Sequence, residues 1–323
     1  MKRFFCIILC LLLSLTGCTS GNNSNISTDK DKLNIIATIF PPYDFARQIG
    51  SDRISLKMLI PPGSESHTYE PSPGDIIDIQ NCDIFIYAGG SGDNWVDTII
   101  ESIDSDTVFI SLMDIVTPLE EVHSEGMQVD HEHIHTDDCD HSNEDEHTEY
   151  DEHTWTSIVN ADIICDKICS VMCDTDPNNS TYYRDNYIKY SARLKAMDRL
   201  ARDTVTKAKR NTIIFADRFP RRNFTEEYGI RYYAAFPGCA AEMEPSPKTL
   251  MFLIDKVRDE KIPVVFYREL SNMKVAQIVC EDTQAKMLEF HSCHSITKDE
   301  FASGVTYIQL MEQNISNLKE ALN

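Results

Sequence analysis

Seven of the ten histidines lie between Glu120 and His153, interleaved with Asp and Glu and without a single Lys or Arg. Imidazole and carboxylate are both ligands for first-row divalent cations. The stretch holds too little apolar surface to offset the entropy of ordering. It therefore reads as a polar loop that collects cations through His123, His131, His133, His135, His141 and His147. The alternative is an inert acidic spacer. His131-Glu132-His133-Ile134-His135 matches the zincin spacing H-E-x-x-H. That chemistry needs a buried helix to aim both imidazoles at one metal, and the neighbours here offer no apolar helical face. His153 closes the stretch directly before a helical pattern and belongs to something more ordered.

Further candidates follow apolar runs closely: His67 after Ile54–Ile60, Asp217 after Thr212–Ala216, Glu269 after Pro263–Tyr267, and His291 after Met287–Phe290. Taken singly, a loop histidine is ordinarily just solvated. Cys82, Cys139, Cys165, Cys169, Cys173, Cys239, Cys280 and Cys293 contain no CxxC pair, so a structural zinc knuckle has little support. Cys165, Cys169 and Cys173 recur every fourth residue, one stripe of a helix, and read as small buried hydrophobes.

The elements that must position these residues alternate. Leu33–Ile39, Ile54–Ile60, Asp83–Ala88 and Thr107–Leu112 read as strands, with helices at Tyr43–Ile49, Gly74–Asn81 and Asn94–Ile103. Trp155–Cys173 is helical. After Asp176-Pro177 a second helix starts near Asn179 or Ser180 and runs to about Lys209, roughly 45 Å. A second series follows: strands Thr212–Ala216, Ile230–Ala234, Pro263–Tyr267 and Met287–Phe290, with helices Pro247–Glu260, Asn272–Lys286 and Val305–Leu322. The predicted class is α/β: two lobes, each a four-stranded mainly parallel sheet flanked by helices, bridged by one long backbone helix. The expected divisions are 33–177, 178–210 and 211–323, with the His/acid-rich loop at 120–152. Ligands in such sheets sit beyond the carboxyl ends of the strands.

The chain begins with Lys2-Arg3 and an apolar run Phe4–Leu13, a secretory signal too short to span a bilayer. Leu15-Thr16-Gly17-Cys18 resembles the bacterial lipobox, which implies cleavage after residue 17 and lipidation of Cys18. Residues 18–32 then form a flexible tether, and the body is expected outside the cytoplasm, anchored to the bacterial cell membrane. The formal charge of −22 excludes a basic face for nucleic acid.

Several segments carry a family resemblance: PPGSESHTYEPSP (61–73), NWVDTII (94–100), DEHTW (151–155), DPNNSTYYRDNYIKYSARLKAMDRL (176–200), EMEPSPKTL (242–250) and YIQLMEQNISNLKEAL (307–322). In order, these resemble the zinc/manganese-binding solute receptors of bacterial ABC importers. The first histidine motif and DEHTW, flanking a His/acid-rich loop, resemble the zinc branch. The resemblance implies two α/β lobes with the metal between them, a monomer, and delivery to a cognate ABC permease and its ATPase. By position it implies His67 and His153 as the first two ligands. A third imidazole is expected in a phrase like F-H-D-x-F, and FADRF (215–219) puts Ala216 there. The fourth ligand is expected after the last strand, where His291 stands. The implied set is His67, His153 and His291, completed by Asp217, Glu242, Cys239, a loop histidine or water, with Glu269 beside the cleft as ligand or support. Three imidazoles point to Zn²⁺ as cargo, with Mn²⁺ as the alternative. Two other readings stay open: a metal-dependent hydrolase with an open zinc position, and a metal-binding surface adhesin.

Overall fold

The computed structural model describes residues 32–66, 68–103, 105–128, 149–238 and 244–323. The first half alternates strictly: β1 (Leu33–Ala37), α1 (Phe40–Gly50), β2 (Ile54–Met58), α2 (Pro73–Gln80), β3 (Ile84–Tyr87), α3 (Asn94–Ser102) and β4 (Val108–Ser111). These strands form one parallel sheet in the order β2-β1-β3-β4. α1 starts three residues before the expected Tyr43, with Pro41 and Pro42 in its first turn. Helix N-termini have no intrahelical partner for those N–H groups, so nothing is lost there. Ser72 caps α2 through a reciprocal capping box with Asp75.

A two-stranded antiparallel ribbon, β5 (Leu119–Glu120) and β6 (Tyr150–Asp151), follows. The sequence reading missed it, because each strand is only two residues long. Then come α4 (Ile158–Thr175) and the long α5 (Ser180–Thr206). The second half is built from β7 (Thr212–Phe219), α6 (Arg222–Tyr228), β8 (Arg231–Pro237), α7 (Pro247–Asp259), β9 (Val264–Tyr267), α8 (Lys274–Thr283), β10 (Lys286–Glu289), α9 (Lys298–Ser303) and α10 (Tyr307–Ala321). Its sheet is also parallel, in the order β10-β9-β7-β8. The short α6 and α9 had no legible apolar period. β7 runs three residues beyond the expected Ala216, with its pairing to β8 shifted between Phe215 and Arg218.

One apolar cluster runs through both halves. It joins Ile35, Ile84 and Ile86 of the first sheet to Phe215, Val264 and Phe266 of the second, through α4, α5 and α10. The Cys165, Cys169 and Cys173 stripe lies inside this cluster, as the spacing implied. Each sheet has a smaller cluster on its other face. Helix α5 packs against α1 and α4 of the first half and against α10 of the second, so it touches both lobes.

Polar ties reinforce the joint. Asp44, fully buried on α1, holds Arg47 at 2.7 Å and accepts the Tyr307 backbone N–H at 2.7 Å. Arg47 also donates to the Val305 carbonyl at 2.5 Å. Tyr307 donates its hydroxyl to the Trp155 carbonyl at 2.7 Å. An unpaired buried charge costs several kcal/mol, so these groups specify how the two halves meet.

Candidate metal centre

His153 reaches the seam from β6. It is fully buried, and its Nδ1 lies 2.7 Å from Asp151 Oδ1. Asp151 is held in turn by the Asn223 side-chain amide at 2.8 Å. A carboxylate on Nδ1 fixes the tautomer with its lone pair on Nε2, the usual outer support of a metal-binding imidazole. Burial alone would lower the His153 pKa, but the Asp151 charge and hydrogen bond outweigh it and raise it. The next residue back, Glu152, accepts the Gly92 N–H at 3.0 Å. A Cβ on Gly90, at φ +78°, would lie 2.8 Å from that carboxylate, so the turn after β3 requires glycine.

The second imidazole at the seam is His294, which the sequence reading did not select. It is 8 % exposed, and its Nε2 lies 2.9 Å from Ser66 Oγ. Its ring centroid is 5.1 Å from that of His153 and 5.2 Å from that of Trp155. The Trp155 indole N–H donates to the Ser292 carbonyl at 2.9 Å, tying the His153 segment to the His294 loop. The two histidines border one cavity of about 20 Å³, also lined by Glu65, Arg218, Arg268 and Glu269. That volume holds about one water molecule or one ion.

His291, the residue expected in this role, does not line the cavity. Asn314 clamps its backbone from both sides, at 2.7 Å to the N–H and 2.7 Å to the carbonyl. Its Nδ1 accepts the Cys293 N–H at 2.9 Å, and its Nε2 lies 3.7 Å from Glu300. The backbone then reverses at Cys293, whose φ is +62°, and His294 is the residue this turn sends to the cavity. The H-x-x-H pair 291–294 was visible in the sequence; the left-handed turn between its members was not.

Asp217 lies within β7 and not beyond its end. Its carboxylate takes the Ser271 hydroxyl and sits 3.4 Å from Arg268 Nε, and it lines a different cavity. Glu269 does line the ion-sized cavity. It accepts the Ser292 N–H at 2.8 Å and the Ser292 hydroxyl, and lies 3.5 Å from Arg221. Burial would raise its pKa, but His291, Arg221 and the Ser292 hydrogen bonds pull it down to about 2. It is thus an ionised carboxylate occupied by protein partners, which suits a supporting role. Arg221, stacked over Phe215 and Phe290, donates to the Phe290 carbonyl and is lowered by burial to about 10.

His67, Glu242, Cys239, Cys18 and the loop residues His131, His133, His135, His141 and His147 lie outside the described residues. His123 is exposed and away from the cavity. Among the described residues no three His, Cys, Asp or Glu side chains converge as a metal-binding group.

Two parallel α/β lobes on one spanning helix, with an imidazole from each lobe at a small seam cavity, define a two-lobed solute-receptor fold. Residues 35–321 match the family described as zinc-uptake complex component A, periplasmic, ZnuA. The chain is 30 % identical to the high-affinity zinc uptake system protein ZnuA of Bacillus subtilis, over 98 % of this chain and 96 % of that protein. It is 28 % identical to the zinc-binding lipoprotein AdcA of Streptococcus pneumoniae, over 96 % of this chain but only 60 % of that longer protein. Among solved structures, the metal-dependent lipoprotein YcdH from Bacillus subtilis superposes with a TM-score of 0.75 at 27 % identity, covering 90 % of this chain and 100 % of that one. The chain belongs to the ZnuA family of zinc-uptake components.

Proposed function

We propose that this protein is the extracytoplasmic receptor of an ABC importer, which captures Zn²⁺ between its lobes and hands it to a membrane permease and its ATPase. The observation that carries this reading is the pair His153 and His294, contributed by opposite lobes to one ion-sized cavity. Imidazoles are borderline-soft donors suited to Zn²⁺ over Mn²⁺. Asp151 behind His153 is the kind of outer carboxylate that sharpens a zinc ligand. The ligand set this favours is His67, His153 and His294, with His291 and Glu269 supporting the loop that carries His294. Ser66, the neighbour of His67, already meets His294. Cleavage after residue 17 and lipidation of Cys18 would tether the body, as one monomer, at the membrane face. Among the described residues no helix is long and apolar enough to cross a membrane.

Competition titration with Zn²⁺ and Mn²⁺ tests this. One tight Zn²⁺ per chain is expected. His153→Ala and His294→Ala should each weaken it by about 100-fold or more, near 2.7 kcal/mol, and His291→Ala by much less. Tighter Mn²⁺, or a larger loss at His291 than at His294, would overturn the assignment.

A further inference from the structure

Charge changes sign sharply along the chain. Residues 33–176 carry four basic side chains against 31 acidic ones, and residues 180–210 carry nine against three. The second stretch is α5 and the turn after it. Lys195 pairs with Asp162 at 3.3 Å, and Arg202 with Asp198 and Glu227. Arg184, Lys189, Arg193 and Arg199 make no ion pair among the described residues. All four are exposed, as are Ile188 and Leu200 on the same helix. The exposed acids of α5 are Asp185 and Asp203, and Asp203 is paired with Lys207 at 2.8 Å. The adjoining α4 adds exposed Asp166 and Asp174, together with Lys167. The balance of the face stays positive on a chain whose formal charge is −22. A basic helix face set with exposed aliphatic side chains is the form that lies on an anionic lipid surface.

The place of this face in the fold fits such a surface. Tyr182, in the first turn of α5, donates its hydroxyl to Asp52 at 2.8 Å, and Asn186 donates to the Ile49 carbonyl at 3.0 Å. Asp52 and Ile49 lead into β2, whose first residue, Ile54, pairs with Leu33, the first of β1. The chain from Cys18 therefore enters the body beside the first turn of α5. As a flexible coil, the roughly 14 residues before Lys32 span about 20 Å, against about 40 Å for α5. Just beyond the far end of α5, the Lys209 N–H donates to the Leu322 carbonyl at 3.0 Å, and β7 begins at Thr212. Both ends of α5 thus lie at the amino edges of the two sheets. The metal cavity lies at the opposite edges, among Glu65, Gly238, Glu269 and Ser292, which follow β2, β8, β9 and β10.

We propose that the exposed face of α5 rests on the anionic membrane in which Cys18 is anchored, so that the metal cleft faces away from the bilayer. The inference rests on the receptor reading for its anchor and goes beyond it in assigning the body a resting orientation. Salt at physiological strength screens charge beyond about 8 Å. The bilayer therefore meets Arg184, Lys189, Arg193 and Arg199 and not the acids of the cleft. Metal loads from the outer side, and hand-off to the permease requires the body to lift from the lipid.

The test is trace acetylation of the lipidated protein in vesicles, read lysine by lysine by mass spectrometry. Lys189 should react about tenfold or more slowly in vesicles containing phosphatidylglycerol than in phosphatidylcholine alone. Salt at about 1 M should abolish the difference. Lys248, exposed on the first turn of α7 beyond the carboxyl end of β8, should react equally in both. Arg193→Glu combined with Arg199→Glu should restore the Lys189 rate. Zn²⁺ affinity should stay at the wild-type value in that variant, which shows that it is folded. Equal Lys189 rates in the two vesicles would overturn the proposal, as would slowing of Lys248 or slowing that persists in the variant. Slowing that appears in neutral vesicles and grows with protein density would assign the face to a second copy instead, and overturn the membrane assignment. Failure of the chain to stay on neutral vesicles would remove the anchor, and failure to bind Zn²⁺ would remove the receptor reading. In either case, protection of Lys189 by added phosphatidylglycerol vesicles still decides the face.

Discussion

Asp93 shows how one buried side chain can set a pH limit. It is 7 % exposed and accepts backbone N–H groups from Ala88 at 2.8 Å and Gly89 at 3.2 Å. Burial, with the nearby Glu152 charge, pushes its pKa up to about 7, against those two hydrogen bonds. The folded pKa is thus above the unfolded one. Its favourable contribution is fully present below about pH 4 and is lost as pH rises towards 7. The penalty at pH 8 reaches about 4 kcal/mol at most. Asp93→Asn keeps an acceptor for both N–H groups and removes the charge. Denaturant unfolding at pH 5 and pH 8 should show a smaller stability drop in the variant than in the wild type. An equal drop would place the titration elsewhere.

Among elements, the joint of α1, α5 and α10 bears most on rigidity. Asp44 at its centre serves Arg47, Gln48 at 3.0 Å and the first N–H of α10. Asp44→Ala takes the carboxylate from a partly buried guanidinium, which keeps only backbone carbonyls, and leaves the buried Tyr307 N–H without its acceptor, at a cost of about 3 kcal/mol. Thermal unfolding should fall accordingly, with little change in Zn²⁺ affinity below the transition. The segment after β5 is another organised element. Gln128 N–H donates to the Ala235 carbonyl at 2.9 Å on the edge strand β8, and its side-chain oxygen accepts the Ser246 N–H at 2.5 Å. Gly126, at φ +81°, lies so close to the Phe252 ring that any Cβ would overlap it. The first residues of the 120–152 stretch therefore already cross from the first lobe onto the second.

At the scale of the molecule, a continuous core and one 27-residue helix oppose wide hinge opening, because bending α5 would break its hydrogen-bond ladder. Small-angle scattering of Zn²⁺-bound and metal-free protein should give nearly equal radii of gyration; a large expansion without metal would contradict a rigid joint. The loop can be tested separately. Because Glu125, Gly126 and Gln128 pack on the second lobe, excision should span 129–148. The shortened protein should keep one tight Zn²⁺ and lose weaker ones, read by equilibrium dialysis. Loss of the tight site would mean that the loop supplies one of its ligands.

Hydrophobic periodicity by itself determined the eight main strands, the longer helices between them and the long α5, because burial of a face imposes a period on the sequence; the short α6 and α9 carry no such period. The motif around DEHTW singled out His153, whose position next to a helical pattern is local information. The choice between His291 and His294 was not local. Both follow the last strand, and only the left-handed turn at Cys293 and the Asn314 clamp from α10, 23 residues further on, decide which imidazole reaches the cavity. The same holds for Asp217, which a simple strand-end rule sends towards the metal. The longer β7 and the Ser271 hydroxyl turn it to the neighbouring cavity instead. Elements follow from short-range periodicity; which side chains share a cleft follows from long-range contacts, which no spacing along the chain encodes.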